Sequence, residues 1–382
     1  MKKGLIHIAL FFCLVFSARE KSLYAFTDSS VNSIHEDVRL LERNFRLGYI
    51  KGFLIPHHED MQHMYKHIEG FQLQSLYRIY SKSMKPLNKS VGYSISYYDL
   101  GSEVSGKAFS GALLVEADIY KLNSKQGRNG FKGAFQFGLG FGYLTQRYDI
   151  NTNPMNRAIG SHLNGYMQLG ILIEGTTNSG LGINISTGMS HFSNASWKYP
   201  NLGVNLPYLQ TCVQYKLQSS HQINGSRGLK DERFHTWRKT VAMRIGKKEV
   251  DLDDSRPFIN GMMEFSLEQF RNQFSNFRYS LGYYHDRTYQ YKKFESLPKY
   301  QIDQCSEVTL SVGYETRFLR WGIMVDLGIY AYKPDFRKKT PYYEAIGVSY
   351  QINDFYKAVI RLKANKTTAD FAEFGISYTI NE

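Results

Sequence analysis

A histidine and a serine stand two positions apart in SHFSNASWKYPNLGVN, residues 190–205. In an extended chain, residues i and i+2 share a face and lie roughly 6.6 Å apart. An imidazole at His191 leaning along the strand can therefore reach the Ser193 hydroxyl. Nucleophilic acyl transfer needs that arrangement, a base within hydrogen-bond reach of the hydroxyl it activates. The same spacing also suits two polar residues beyond a membrane edge that meet only water or headgroups. H-x-S by itself leaves both readings open.

The element that carries the pair is legible from its phase. In GLGINISTGMSHFSN, residues 180–194, the apolar phase runs Leu181, Ile183, Ile185, Thr187 and Met189, and His191 and Ser193 continue it. Gly182, Asn184, Ser186, Gly188, Ser190 and Phe192 form the other phase. The same alternation recurs along most of the chain. Phe131, Phe135, Phe137, Leu139, Phe141 and Tyr143 oppose Lys132, Ala134, Gln136 and three glycines, and Val91, Tyr93, Ile95 and Tyr97 oppose Gly92, Ser94 and Ser96. Charged residues such as Glu307, Asp326, Arg361, Lys363 and Glu373 fall on the polar phase.

A soluble sandwich alternates too, but breaks into turns every 8 to 12 residues. Here the alternating stretches run about 10 to 16 residues, enough to cross a bilayer at a tilt. Spanning sheets must close, because an unpaired backbone edge in lipid is costly. The expected fold is all-β, a transmembrane antiparallel β-barrel of the Gram-negative outer membrane with about 14–16 strands. An eight-stranded barrel ending near residue 217, followed by a second β-unit, is the alternative. Long connections follow odd-numbered strands and short turns follow most even-numbered ones. This places the end of the seventh strand, with His191 and Ser193, near the outer leaflet.

Composition agrees with export to a membrane. Mean hydropathy is −0.40, and beyond the first residues no apolar run is long enough for a membrane helix. Lys2 and Lys3 followed by the apolar stretch Gly4 to Phe16 read as a signal peptide, residues 1–18, with its end between 17 and 25; an uncleaved anchor competes. Residues 19–43 form a lead segment, 44–217 the barrel half carrying the motif, 218–237 a long polar connection, and 238–382 strands expected to complete the barrel. The net charge of +13 suits an anionic lipid or a phosphorylated glycolipid, whereas nucleic acid is not expected for an exported chain. Cys212 and Cys305 could pair or stay as separate buried thiols.

The stretch 190–205 resembles the signature of the outer-membrane lipid A deacylases, or acyloxyacyl hydrolase-like proteins. Their pattern is His-x-Ser-Asn, a small residue, then Pro-Asn-x-Gly, met here by His191, Ser193, Asn194, Ala195, Pro200, Asn201 and Gly203. Characterised members are eight-stranded barrels that cleave the 3-O-linked acyl ester of lipid A. The resemblance implies an esterase acting on lipid A, or lipopolysaccharide, in the outer leaflet. Ser193 would be the nucleophile, His191 the general base and Asn194 an oxyanion donor. The family's glutamate, fourteen residues after the histidine, is replaced by Asn205. An amide can orient an imidazole but does not offset imidazolium charge. Glu174 lies on the opposite phase and is a poor substitute. The contrasting function is a non-catalytic barrel, pore or structural, that retains the motif. The half after residue 218 is unexplained by eight-stranded members.

Residues outside the motif also bear on function. Arg147, Arg157, His162 and Lys198 lie near the presumed outer rim and are candidates for lipid A phosphates. His57, His58, Glu59, Asp60, His63 and His67 crowd the first long loop and read as a solvated or headgroup-facing segment rather than a metal site. Arg78, Glu116 and Asp118 face the interior, where a salt-bridged plug is favoured over a channel lining. Neither a phosphate-cradling loop nor a dinucleotide fingerprint occurs, and no cofactor is expected.

Overall fold

The computed structural model describes residues 40–80, 86–123, 129–218, 237–272, 275–291, 295–296, 302–334, 340–366 and 368–380. The signal peptide, most of the lead segment and nearly all of the connection at 218–237 lie outside the described residues. Sixteen strands are present among those described. The first eight are β1 (Leu40–Leu54), β2 (Lys66–Tyr80), β3 (Pro86–Asp99), β4 (Lys107–Asn123), β5 (Asn129–Leu144), β6 (Leu163–Thr177), β7 (Leu181–Ser193) and β8 (Val204–Gln218). The second eight are β9 (Trp237–Lys248), β10 (Phe258–Asn272), β11 (Ser275–His285), β12 (Ser306–Phe318), β13 (Trp321–Tyr332), β14 (Tyr342–Gln351), β15 (Tyr356–Asn365) and β16 (Thr368–Ile380).

These strands form two closed antiparallel rings, not one. β8 returns to β1, with Gln218 opposite Glu42 and Tyr208 opposite Gly52. β16 returns to β9, with Ile380 opposite Lys239 and Phe374 opposite Ile245. The single ring of 14–16 strands is thus corrected to the two-unit alternative, and the strands after residue 237 close on themselves rather than complete the first ring. Alternation is the same in either arrangement, since it reports which face meets lipid and not which strand closes on which. No helix among the described residues is long and apolar enough to cross a membrane.

Side chains sort by phase as the alternation requires. In β6, Leu163, Leu169, Ile171 and Ile173 are exposed on the outer wall, while Asn164, Gln168, Leu172 and Glu174 are buried inside. An eight-stranded ring is just wide enough for side chains to fill. Inside the first ring Arg46 donates to Glu116 at 2.6 Å and to Glu174 at 2.6 Å, and Lys132 is paired with Glu116. Arg78 pairs with Asp118 at 2.6 Å. Arg361 does the same work in the second ring, meeting Glu373 at 3.0 Å, Asp326 at 3.1 Å and Glu264 at 3.4 Å. Such pairs exist because a buried charge without a partner costs several kcal/mol. Both interiors are thus plugged with paired charges, as expected for Arg78, Glu116 and Asp118. Cys212 is a free buried thiol on β8, and Cys305 is buried at the end of a 3-10 turn just before β12, so the two cysteines belong to different halves of the chain.

Connections after β1, β3, β5 and β7 gather at one end of the first ring. Beneath them sits an apolar cluster that includes Leu54, Met61, Tyr98, Ile159, Tyr166, Phe192 and Leu206. This packed floor supports the loops that build the site.

Candidate active site

Phe192 sets the geometry. It is fully buried, with its ring 4.9 Å from Tyr166 and 6.0 Å from Tyr98. Room for it comes from Gly142, where an added Cβ would lie 2.3 Å from the Phe192 ring. With Phe192 anchored inward, pleating sends His191 and Ser193 outward. His191 is half-buried and Ser193 is 8% exposed, covered by the loop that follows β7.

His191 lies directly opposite Asn205 in the β7–β8 ladder, and its Nδ1 is 2.6 Å from Asn205 Oδ1. The oxygen can only accept, so Nδ1 carries the proton and Nε2 presents a lone pair, the tautomer a general base needs. Asn205 Nδ2 is 3.1 Å from His57 Nδ1, and His57 Nε2 is 2.6 Å from Leu202 O. His57 reaches this position because Ile55 N donates to Asn205 O at 3.0 Å, tying the end of β1 to β8. On its other side the His191 ring packs against Gly203 (φ +84°), where a Cβ would stand 2.7 Å from His191 Cε1.

Ser193 Oγ donates to Asn201 Oδ1 at 3.0 Å, and no hydrogen bond joins it to His191 among the described residues. The same Asn201 oxygen accepts from Asn194 N at 2.9 Å, while Ala195 N donates to Ser193 Oγ at 3.2 Å. An oxygen acceptor thus sits between the serine hydroxyl and a backbone N–H. The Asn194 side chain turns into the loop, where Nδ2 donates to Lys198 O at 2.6 Å. Its backbone N–H, rather than its amide, faces the Ser193 hydroxyl's partner.

Ala195 (φ 54°) and Ser196 (φ 58°) follow in succession in the left-handed region, which non-glycine residues enter at a cost. Contacts from the second barrel hold this turn. Glu249 N donates to Ser196 O at 2.9 Å, and Tyr199 N donates to Glu249 Oε2 at 3.1 Å. Ser196 Oγ donates to Ala369 O at 3.2 Å, and Trp197 meets Phe374 edge-on at 5.8 Å.

The four proposed phosphate ligands lie around this end, on the β5–β6 connection or the β7–β8 loop. Arg157 sits over the Tyr148 ring at 5.2 Å, His162 Nδ1 donates to Leu144 O at 2.8 Å and its ring stacks on Tyr143, Arg147 is half-buried and Lys198 is exposed. The β5–β6 connection is folded around Asp149. Backbone N–H groups of Thr152 and Asn151, each 3.0 Å away, hold its carboxyl below the usual carboxylate range. Of the first-loop histidines, His63 Nε2 reaches Met155 O at 2.7 Å while His57 enters the site. Glu174 is inside the ring with Arg46 and Lys216, away from His191. On the outer wall beside Asn205, a cleft of about 620 Å³ is lined by Lys51, Phe53, His67, Thr187, Pro207 and Leu209.

Three residues of this arrangement carried no role in the sequence. Asn201 stood in the motif without a function, His57 was one histidine in a crowded loop, and Glu249 belongs to the other barrel. The Pro-Asn-x-Gly spacing was the available signal for Asn201. For His57 and Glu249 there was none.

Residues 69–209 match the family model described as lipid A 3-O-deacylase, and residues 235–382 match the acyloxyacyl hydrolase C-terminal domain. No curated protein sequence matches the chain. Among solved structures, Neisserial surface protein A aligns at 11% identity over 47% of this chain and 99% of its own, with a TM-score of 0.29. The translocator domain of the autotransporter NalP from Neisseria meningitidis aligns at 11% identity over 97% and 98%, TM-score 0.18. The outer membrane protein opdK from Pseudomonas aeruginosa aligns at 10% over 88% and 98%, TM-score 0.22.

Proposed function

The chain belongs to the lipid A deacylase family of the Gram-negative outer membrane, and on that premise we propose that it hydrolyses an acyl ester of lipid A by a Ser193–His191 mechanism. The observation that carries the reading is the 2.6 Å contact from His191 Nδ1 to Asn205 Oδ1, which leaves Nε2 as a base on the same outer face as Ser193. Lipid A presents its acyl esters at the membrane surface, so an outward-facing pair meets substrate without extracting it.

In the proposed reaction, Ser193 Oγ leaves Asn201 Oδ1 and gives its proton to His191 Nε2 as it attacks the ester carbonyl. Catalytic hydrogen bonds often tighten only when substrate is bound. The ester oxygen takes the place that Asn201 Oδ1 now occupies, and the Asn194 N–H stabilises its developing charge; removing one such donor typically costs about 10²–10³ in kcat. His191 then gives this proton to the departing sugar oxygen, which leaves as a hydroxyl, with the acyl group on Ser193. Water then attacks the acyl carbonyl as it gives a proton to His191, and His191 passes that proton to Ser193 Oγ as the fatty acid departs, restoring the serine. The apolar chain would lie along the outer-wall cleft beside Pro207 and Leu209, and Arg147, Arg157, His162 and Lys198 would meet the phosphates.

Asn205 orients the imidazole but supplies no counter-charge for the imidazolium formed at each step. Mass spectrometry of lipid A from cells making the wild type, Ser193→Ala and Asn205→Glu tests the proposal. Loss of one acyl chain is expected with the wild type and Asn205→Glu, and none with Ser193→Ala. Identical lipid A in all three would overturn it.

A further inference from the structure

We infer that His57 is a positioning residue, one that fixes the direction of the Asn205 amide and thereby the tautomer of His191. This rests on the hydrolase reading above and accounts for how an amide can serve where the family carries a carboxylate. A carboxylate has two equivalent oxygens, and either accepts the imidazole proton. An amide has an oxygen on one side and an NH₂ on the other, and only the oxygen side leaves His191 Nε2 bare. Reversed, Asn205 would donate to His191 Nδ1, force the proton onto Nε2 and remove the base.

The direction is set at the far end of a four-group chain. Leu202 O can only accept, so His57 must place its proton on Nε2, 2.6 Å away. A neutral imidazole with Nε2–H has a bare Nδ1, which accepts from Asn205 Nδ2 at 3.1 Å. The Asn205 oxygen is then turned to His191 Nδ1 at 2.6 Å. With the amide reversed, His57 would need its proton on Nδ1, and its bare Nε2 would face the Leu202 carbonyl, lone pair against lone pair. Ile55 O, the other acceptor near Nδ1, is 3.5 Å away, too far to hold the proton against the shorter contact. The backbone carbonyl of Leu202 thus polarises His57, Asn205 and His191 in one sense.

His57 is exposed, so replacing it leaves the barrel core untouched. The test is a double-mutant cycle on the full-length protein in detergent, reading fatty acid released from lipopolysaccharide. His57→Phe is expected to lower kcat about tenfold, or about 1.4 kcal/mol, with Asn205 in place. In an Asn205→Glu background it should change kcat less than twofold, because a carboxylate needs no orienting. Equal losses in both backgrounds, or no loss with Asn205, would overturn the inference. ¹⁵N shifts of the His191 ring, assigned by difference with His191→Gln, give a readout independent of turnover. The Nδ1–H form is expected in the wild type and a mixture of tautomers in His57→Phe. An unchanged His191 tautomer would overturn the inference. If the wild type releases no acyl chain, or Ser193→Ala releases as much, it is the hydrolase reading that fails, and the ¹⁵N experiment still decides the role of His57.

Discussion

Replacing Gly203 by alanine tests whether His191 works from the position it occupies. The new Cβ would lie 2.7 Å from His191 Cε1, 3.4 Å from Nε2 and 3.2 Å from Phe192 O. Carbon atoms in contact sit about 3.5–4.0 Å apart, so the ring must retreat by roughly 1 Å or the loop must lift. The ring is held at Nδ1 by Asn205, so its retreat displaces Nε2. A misplacement of about 1 Å can cost about 10²-fold in rate, equivalent to about 2.7 kcal/mol in the barrier. A separate cost arises because φ at this position is +84°; an L-residue there loses roughly 1–2 kcal/mol of stability. The second cost falls on the loop, while sixteen strands outside it keep their ladders. The assay is fatty-acid release from purified lipopolysaccharide, with barrel integrity checked by the shift in gel mobility on heating. A folded Gly203→Ala protein within threefold of wild-type turnover would refute the argument, since His191 could not then be the base in the geometry described.

Two further expectations follow from the second barrel. Glu249→Ala should cut turnover about tenfold, a barrier change of about 1.4 kcal/mol, because Tyr199 N loses its acceptor. The left-handed turn beside Ser193 should then loosen, read as faster proteolysis between residues 194 and 203. Arg361→Met should destabilise the second barrel by about 1–3 kcal/mol, because buried Glu264, Asp326 and Glu373 lose one partner while Arg244 still meets Glu264 and Glu373 and Arg278 still meets Asp326. Urea unfolding followed by tryptophan fluorescence measures this. A change under about 1 kcal/mol would show that Arg244 and Arg278 suffice for the three carboxylates.

The sequence by itself determined what depends on neighbours along the chain. Period-2 alternation placed the outer wall and the lumen, because a strand sends successive side chains to opposite sides whatever it pairs with. It therefore placed His191 and Ser193 on the lipid-facing side and Glu174 inside. The fourteen-residue spacing marked Asn205 as the counterpart of the family's glutamate, but the register that sets it opposite His191 came from the β7–β8 ladder. Only the tertiary structure decided the rest. Whether β8 meets β1 or continues into β9 leaves every alternation unchanged, so one ring and two were indistinguishable until the ladder at Glu42–Gln218 was seen. His57 reaches Asn205 over 148 residues of sequence because β1 closes the ring beside β8. Glu249 touches the loop of the first barrel from the end of a strand in the second. Contacts of this kind leave no local periodicity, because each joins a single polar group to a single polar group across a fold that the chain must first close.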